Sequence, residues 1–269
     1  MLINETLLFT REKRASKGNQ TVIIVHGIAE HSGRYEEMMQ FFYEHDISSF
    51  TFDLRGHGQS AGERGKLKDY KLIIEDVHQI VNHVKKTYPK DQVFILGNSL
   101  GGLITHMYAV THQDVDGIIS SGAPTGFIKD VLPIRIIGPK LLGWYSVKTN
   151  FADEKLSRIP SVEKDYINDP LNLKKMYGSL IGQMMVLGVR YLKKNIQKHQ
   201  LPSLILHGED DKIVPKLMSE SMFEKIPSKD KSLVIYPAAY HEIFNDLDKE
   251  KCLNDVVTWI LDRKKEVIN

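Results

Sequence analysis

The sequence has few of the features that mark whole classes of protein. Its only cysteine is Cys252, so no intramolecular disulfide can form. No stretch approaches the ~18 uncharged apolar residues of a membrane span, and the first residues form too short an apolar run for a signal peptide. There is no long Lys/Arg block, internal repeat or low-complexity tract. These absences predict a cytoplasmic globular chain with no nucleic-acid partner.

The composition is that of an ordinary globular protein. Of the 269 residues, 42% are hydrophobic and 26% are charged, and the formal net charge is +2. These values argue against a disordered, collagen-like or disulfide-scaffold chain. At roughly 150 residues per domain, the length allows one large domain or a core with a sizeable insertion.

Short runs rich in β-branched residues alternate with segments whose apolar residues recur every three or four positions. The runs predict buried strands at Thr21–Val25, Ser48–Phe52, Val93–Leu96, Gly117–Ser120, Leu204–Leu206 and Ser232–Tyr236, with an edge strand at Thr6–Thr10. The other segments predict helices at Tyr35–Glu44, Leu72–Thr87, Leu100–Thr111, Lys216–Phe223 and Cys252–Arg263. The alternation predicts an α/β fold with a mostly parallel sheet covered on both faces, which binds ligands beyond the carboxyl ends of its strands.

One connection is much longer than the others. It runs for 79 residues from Gly122 to Gln200, whereas a parallel crossover needs only about a dozen. Structureless loops of that length are rare in compact domains. We therefore expect a helical cap over residues 123–200, inserted into a core made of residues 1–122 and 201–269.

A G-x-S-x-G motif, Gly97-Asn98-Ser99-Leu100-Gly101, lies between a predicted strand and a predicted helix. In that setting a sharp turn holds the central residue in a strained conformation and projects its hydroxyl into solvent. Ser99 is therefore the candidate nucleophile. A glycine-rich turn that only packs the helix on the sheet is the weaker interpretation.

A serine hydroxyl is a weak nucleophile and needs a general base, which a carboxylate holds in one tautomer. Of the eleven histidines, His241 lies just beyond the last predicted strand, at the sheet edge where Ser99 should also emerge. Three consecutive acids, Glu209 to Asp211, follow the preceding strand. Charge alone leaves the choice among these acids open.

The oxyanion formed by attack on an ester needs two backbone donors. Leu100, which follows the nucleophile at a helix start, supplies one N–H. Ile28 supplies the other from the end of the first predicted strand, where Gly27 allows a close approach to the substrate.

Two other kinds of site are disfavoured by spacing. His26, Glu30 and His31 match neither H-E-x-x-H nor a helical pair of metal ligands. The glycines of the stretch Asp53 to Gly62 break the dinucleotide fingerprint, which indicates a structural turn near the site. We expect no metal and no cofactor.

At these residues the sequence resembles the serine α/β-hydrolases, and more narrowly the monoacylglycerol lipase and lysophospholipase group, over nearly the whole core. The segment from His26 to Tyr35, HGIAEHSGRY, is similar to the signature H-G-x-x-E-H-S-G-R-Y of that group. The segments Gly56-His57-Gly58-Gln59-Ser60, Gly97 to Gly101 and Tyr240-His241 follow in matching order. The resemblance implies an inserted cap that selects the substrate.

The spacing Gly208-x-x-Asp211-x-x-Val214 is also similar to the hydrolase acid turn, which selects Asp211 and leaves Asp210 as the alternative. The chain order Ser99, Asp211, His241 is the α/β-hydrolase order. Asn98 stands where the family often has histidine, and Ile28 is bulkier than the usual alanine. Both departures point to a reshaped acyl pocket.

The first part of the cap is crowded with apolar residues. Those between positions 127 and 144 are too many for one core-facing stripe on a short helix. Gly27, Asn98, Ile128, Leu132, Ile137 and Trp144 are the predicted substrate-binding residues. Lys129, Arg135, Lys140 and Lys148 interleave with the apolar residues, as in a segment drawn to anionic lipid headgroups. The alternative is that the segment packs against Met184, Met185, Val186 and Leu187 as ordinary core.

Together these residues predict a serine carboxylic-ester hydrolase that works through an acyl-enzyme. The resemblance favours a monoacylglycerol or a lysophospholipid as the substrate, with peripheral membrane contact through the cap. A peptidase or transacylase with the same triad stays open. A non-catalytic lipid-binding protein on the same scaffold is the rival from another class.

Overall fold

The computed structural model describes residues 1–139, 141–149 and 155–264. Its strands are β1 (Leu2–Ile3), β2 (Thr6–Leu7), β3 (Thr10–Lys13), β4 (Gln20–Val25), β5 (Ser48–Phe52), β6 (Gln92–Asn98), β7 (Gly117–Ser121), β8 (Ser146–Lys148), β9 (Lys175–Tyr177), β10 (Ser203–Gly208) and β11 (Lys231–Tyr236). Its α-helices are α1 (Glu36–Glu44), α2 (Tyr70–Thr87), α3 (Leu100–Ala109), α4 (Leu132–Ile137), α5 (Pro160–Asn168), α6 (Gly178–Ile181), α7 (Val189–Asn195), α8 (Leu217–Lys225) and α9 (Lys249–Leu261). A π-helical segment, Gly182–Gly188, joins α6 to α7.

The central sheet has seven strands in the order β11-β10-β7-β6-β4-β5-β3. All neighbours pair in parallel except β3, which pairs antiparallel with β5 at the edge. Strands β4 to β7 are buried along their whole length, because helices cover both faces of the sheet. The predicted mostly parallel α/β sheet is confirmed.

The core consists of two apolar layers, one on each face of the sheet. Along β4, Ile23 and Val25 belong to the layer with α2 and α3, whereas Val22 and Ile24 belong to the layer with α1 and α9. This alternation follows from the two-residue period of a strand. Full burial of such a side chain contributes roughly 1.5–3 kcal/mol, so both layers hold the strands that carry the site.

The predicted edge strand at Thr6–Thr10 is wrong in its position. Thr6 and Leu7 turn back to pair with Leu2–Ile3, because Asn4 and Glu5 adopt positive φ angles of 45° and 60° that reverse the chain. The edge strand of the sheet is Thr10–Lys13 instead. Its charged residues are typical of an edge that must not pair with another chain.

The chain between β7 and β10 carries α4 to α7 and a small two-stranded antiparallel sheet of β8 and β9. Residues of the π-helical segment and of α7, such as Met184 and Val189, are buried in the same apolar layer as α2 and α3. Lys140, one of the predicted interfacial cations, lies outside the described residues. None of the described helices combines the length and the apolarity needed to cross a membrane.

Candidate active site

Ser99 lies at the sharp turn between the buried strand β6 and helix α3. Its backbone has φ 53° and ψ −118°, a conformation that non-glycine residues rarely adopt. A Cβ on Gly97 would lie 2.1 Å from the Gly101 carbonyl oxygen, so only glycine allows the turn to be this tight. The Ser99 N–H donates to the carbonyl oxygen of Ser121 in β7 at 2.7 Å. The local strain is therefore held by the sheet, as expected of a functional turn.

His241 and Asp211 meet at the same edge of the sheet. Strands β10 and β11 are neighbours in parallel, so the loops that follow them leave at the same edge. The His241 Nδ1–H donates to Asp211 Oδ2 at 2.7 Å, and the N–H groups of Ile213 and Val214 donate to Asp211 Oδ1 at 2.8 Å. Asp210, the alternative acid, is exposed, and no contact of its side chain with His241 is seen among the described residues.

The charge of this pair is fixed by its surroundings. Burial alone would raise the pKa of Asp211, but the charge of His241 and hydrogen bonds from His207 and His241 hold that pKa far below its usual range. Burial opposes protonation of His241, but the attraction of Asp211 outweighs it and raises the pKa of the imidazole. Asp211 is therefore an anion that orients His241 and stabilises its protonated form.

Ser99 and His241 both line one cavity of about 440 Å³. Gly122, which directly follows the Ser121 carbonyl that holds Ser99, has φ 55°, and a Cβ there would lie 3.1 Å from His241 Cε1. The same Cβ would lie 3.5 Å from Asp211 Oδ2. Gly122 thus lets His241 approach the chain that holds the Ser99 turn. This role of Gly122 was not predicted from the sequence, although a glycine directly after a buried strand is a signal of close approach.

A second histidine also contacts Asp211 and was missed by the sequence analysis. His207 Nε2, on fully buried β10, lies 3.2 Å from Asp211 Oδ2 and 2.8 Å from the Val214 carbonyl oxygen. Both neighbours are acceptors, so Nε2 carries a proton, and Nδ1 lies 2.7 Å from the Ser219 hydroxyl oxygen. His207 therefore helps to fix the carboxylate.

The loop after β4, which we call the oxyanion loop (residues 26–31) after its predicted role, lies against Ser99. A Cβ on Gly27 would be 3.2 Å from Ser99 Cβ. The Gly27 N–H donates to Glu30 Oε1 at 2.5 Å, and its carbonyl oxygen accepts from His26 Nδ1 at 2.7 Å. In the part of the chain that the structure describes, the Ile28 N–H has no acceptor.

Leu100 supplies the first N–H of α3, which has no acceptor within its own helix because a helix satisfies its N–H groups only from the second turn onward. The structure thus leaves the N–H groups of both predicted oxyanion donors, Ile28 and Leu100, available near Ser99.

The three residues weighed as metal ligands are engaged by the protein itself. His26 bonds the Gly27 carbonyl and the Leu54 N–H, Glu30 bonds the Gly27 N–H, and His31 Nε2 lies 2.7 Å from Asp169 Oδ2. Elsewhere in the described chain, one group of three side chains has ligand atoms within 4.8 Å of one another: His78, His112 and Asp114. This group is not part of the described cavity lining.

The segment with dinucleotide-like glycines is a structural turn beside the site. Asp53 accepts the N–H groups of Ser32 and Gln59, each at 2.7 Å, and Gly56 and Gly58 have φ angles of 72° and 46°. The carboxylate thus ties this turn to the chain that follows the oxyanion loop.

The cavity wall contains some of the predicted substrate-binding residues and excludes others. Gly27, Asn98 and Ile128 line it. Leu132, Ile137 and Trp144 are instead exposed on the cap, with Trp144 at 76% of its full exposure, and are absent from the described lining. Helix α4 has only six residues, so one narrow face turns inward while its other residues face solvent.

The residues that replace them in the wall come from the same apolar stretch and its packing partners. Val131, Ile134 and Met185 line the cavity, and the first two are buried with Met184 and Val186 in one layer. Asn98 also lines the cavity, and its Oδ1 is buried without a hydrogen-bond partner among the described residues.

Comparison with known proteins gives consistent matches over nearly the whole chain. The model of the family described as Serine aminopeptidase, S33 matches residues 16–248. The monoacylglycerol lipase of Mycolicibacterium smegmatis is 29% identical over 245 residues, which cover 89% of this chain and 87% of that protein. The monoglyceride lipase of Rattus norvegicus is 31% identical over 265 residues, which cover 95% and 87%. The crystal structure of the monoacylglycerol lipase of Paleococcus ferrophilus has a TM-score of 0.84 at 29% identity and covers 96% of this chain and 99% of its own.

Proposed function

Because the chain belongs to the serine aminopeptidase S33 family of α/β-hydrolases, we propose that it is a serine carboxylic-ester hydrolase acting on lipids with a single acyl chain, monoacylglycerol first among them. The observation that carries the proposal is the strained Ser99 turn, which shares one cavity with the His241–Asp211 pair. The relatives that are named monoacylglycerol or monoglyceride lipase support the substrate class.

In the proposed reaction, Ser99 Oγ attacks the ester carbonyl carbon while His241 Nε2 takes the hydroxyl proton. The Ile28 and Leu100 N–H groups donate to the oxyanion of the tetrahedral intermediate. The C–O bond to the alcohol then breaks, and His241 gives the proton to the departing oxygen. Water attacks the acyl-enzyme with His241 again as base, which releases the fatty acid and restores Ser99.

The cavity fits one acyl chain. Its volume of about 440 Å³ lies within the usual range for small-molecule sites, and the cap gives it apolar walls through Ile128, Val131 and Ile134. Polar side chains also line it, among them Glu30, Asn98 and Tyr166, which suits the hydroxyl groups of a glycerol head. A lysophospholipid, which also carries a single acyl chain, is the alternative substrate to a monoacylglycerol.

The exposed face of the cap supports peripheral membrane contact. Leu132, Ile136, Ile137 and Trp144 are all exposed, and Arg135 lies among them in sequence. Apolar side chains beside a cation suit insertion into an interface with anionic lipid. The buried free thiol of Cys252 suits a reducing compartment, and we place the protein in the cytoplasm at a membrane surface. Sedimentation with anionic against neutral vesicles, for the wild type and Trp144→Ser, tests the contact.

The cap, residues 123–200, is proposed to select the substrate, since it supplies most of the apolar wall. The deciding experiment is a rate profile on monoacylglycerols of increasing chain length, with lysophosphatidylcholine as the phosphate-bearing comparison and Ser99→Ala as the control. Preference for a medium or long single chain supports the proposal. A higher kcat/KM for lysophosphatidylcholine than for the monoacylglycerols would instead identify a lysophospholipid as the preferred substrate.

The name of the matching family favours one second candidate, cleavage of an aminoacyl amide by the same triad. An aminoacyl p-nitroanilide distinguishes it from ester hydrolysis, and acyl transfer to an added alcohol detects a transacylase. A chain that binds lipid but fails to react with a fluorophosphonate would be a binding protein on the hydrolase scaffold.

A further inference from the structure

A largely buried arginine joins two carboxylates close to the candidate active site. Arg34 Nη1 lies 2.6 Å from Glu30 Oε2 and 2.8 Å from Glu242 Oε1, and Arg34 Nη2 lies 2.8 Å from Glu242 Oε2. Only 11% of the Arg34 side chain is exposed, and both glutamates are buried. Charge-assisted bonds of this two-pronged kind fix geometry as well as supplying energy.

The two carboxylates belong to two different parts of the catalytic machinery. Glu30 Oε1 accepts the Gly27 N–H of the oxyanion loop and the Tyr35 hydroxyl. Glu242 is the residue after His241, and its own N–H donates to the Leu156 carbonyl oxygen of the cap at 2.8 Å. The Arg34–Glu242 contact spans 208 positions of sequence. One guanidinium therefore spans the distance between the proposed oxyanion donors and the proposed general base.

Arg34 touches the machinery without facing the substrate. The described lining of the cavity includes Glu30 and Glu242 but not Arg34. The Tyr166 ring, from the cap, lies 4.9 Å from the Arg34 guanidinium carbon. Arg34 thus contacts the two loops and the cap, and it lines a separate, smaller cavity of about 140 Å³ with Tyr35 and Phe244. Any effect it has on the reaction therefore passes through the residues it holds.

We propose that Arg34 is a positioning residue that fixes the oxyanion loop and the His241 loop relative to each other by bridging Glu30 and Glu242. This inference rests on the proposed ester hydrolysis. Catalysis requires the oxyanion donors and the base to face the same carbonyl group at once, and small displacements of either are costly. Arg34 secures that alignment.

The same bridge sets the charge around His241. Two buried carboxylates without a cation would favour the protonated imidazole, because nearby anions stabilise it in a region of low dielectric constant. Arg34 offsets them. Asp211, Glu242 and Glu30 act directly on the imidazole, Arg34 acts through the two glutamates, and His207 acts through Asp211. The other ionisable groups in the described wall of the same cavity are Tyr145, Lys148, Lys155, Tyr166 and Lys212.

The test uses the full chain and a soluble p-nitrophenyl butyrate assay. We compare wild type with Arg34→Lys, Arg34→Gln and Glu242→Gln, and record kcat, KM, the pH profile of kcat/KM and the melting temperature. Arg55→Gln is the matched control. It breaks a pair of similar burial, Arg55–Asp76 at 2.6 Å, and neither residue belongs to the described cavity lining.

We expect Arg34→Gln to lower kcat by about tenfold or more while KM changes less than about threefold, because the alignment and not the binding is lost. Arg34→Lys keeps the positive charge but not the two-pronged contact, so its kcat should lie between those of the wild type and Arg34→Gln. The acid limb of the profile moves to higher pH in Arg34→Gln and to lower pH in Glu242→Gln. Arg55→Gln should lower the melting temperature but leave kcat and the position of the acid limb of the pH profile unchanged.

The inference is overturned if folded Arg34→Gln and Arg34→Lys keep wild-type kcat, or if kcat falls in proportion to stability with an unmoved acid limb, as a merely structural role requires. A raised KM at constant kcat also overturns it and makes Arg34 a binding residue. If Arg34→Gln does not fold, Arg34→Lys and Glu242→Gln decide by the same criteria. A wild type with no esterase activity and no fluorophosphonate reaction refutes the proposed function itself, which is a distinct result.

Discussion

His26 holds the carbonyl oxygen of Gly27 through its Nδ1, at 2.7 Å. Because the Leu54 N–H donates to His26 Nε2 at 2.9 Å, the ring is neutral with its proton on Nδ1. The peptide between Gly27 and Ile28 is planar and trans, so a carbonyl turned toward His26 turns the Ile28 N–H away from that ring. His26 thus opposes a flip of this peptide and keeps the Ile28 N–H, the second proposed oxyanion donor, without an acceptor among the described residues.

Replacing His26 by phenylalanine should therefore lower kcat by about 10- to 100-fold, since loss of one oxyanion donor costs up to 10³-fold. KM should change little. His199→Phe is the control, because His199 is equally buried but bonds His106, and neither lies in the described cavity wall. Equal losses of kcat in both variants would show that buried histidines act here only through stability.

Burial keeps several histidines neutral and makes the fold sensitive to acid. Desolvation lowers the pKa of His26 and His199 to about 4 and that of His57 to about 3, and it also lowers the pKa of His106. The unfolded chain takes up these protons near pH 6.5, so the stability that the neutral rings confer is complete above that pH. It is lost as pH falls toward 4, by about 1.4 kcal/mol per pH unit for each ring.

Urea unfolding at intervals between pH 7.5 and 4 measures this loss. His199→Gln should give a shallower slope over the range 6.5 to 4, because one ring fewer takes up a proton on unfolding. A slope equal to that of the wild type would contradict the assignment of a depressed pKa to His199.

The two candidate acids should separate cleanly in activity. Asp211→Asn removes the anion that orients His241, and we expect kcat to fall by roughly 10⁴-fold, as in other serine hydrolases with this change. Asp210→Asn, at the exposed neighbour, should leave kcat within about twofold, since surface substitutions away from such contacts are nearly neutral. The reverse pattern would make Asp210 the triad acid.

Gly122 offers a steric test of the same arrangement. Gly122→Ala places a methyl group 3.1 Å from His241 Cε1 and should displace the ring. We expect kcat to fall by about 10-fold or more, because a displaced general base no longer aligns with the serine hydroxyl. Gly138→Ala is the matched control. Gly138 also has a positive φ, 104°, but a Cβ there meets nothing within 4 Å. Both variants should lose about 1–2 kcal/mol of stability from backbone strain, and only Gly122→Ala should lose activity.

Much of the core could be predicted from sequence because its signals are local. Runs such as those of β4 and β6 are apolar from end to end, which is what a parallel sheet covered on both faces requires. The Ser99 turn is also marked in the sequence, because a turn this tight needs glycines such as Gly97 beside the serine. The edge strand was misplaced because the chain reverses at Asn4 and Glu5, and neither is a glycine that would signal a positive φ.

The cap and the supporting residues could not be predicted in the same way. A stretch that is apolar on all sides has no periodicity to separate Ile134, which faces the cavity, from Trp144, which faces solvent. Arg34, His207 and Gly122 act through contacts that depend on strands and loops brought together by the fold. Nothing in the spacing of Arg34 and Glu242 along the chain indicates that they meet.

The most direct measurement of the central claim is the rate and site of reaction with a fluorophosphonate, followed by intact mass and peptide mapping in wild type, Ser99→Ala and His241→Ala. The account predicts one label per chain on Ser99, none in Ser99→Ala, and labelling slowed by about 10²-fold or more in His241→Ala, because the hydroxyl then lacks its base. Labelling on another residue, or an unchanged rate in His241→Ala, would contradict it.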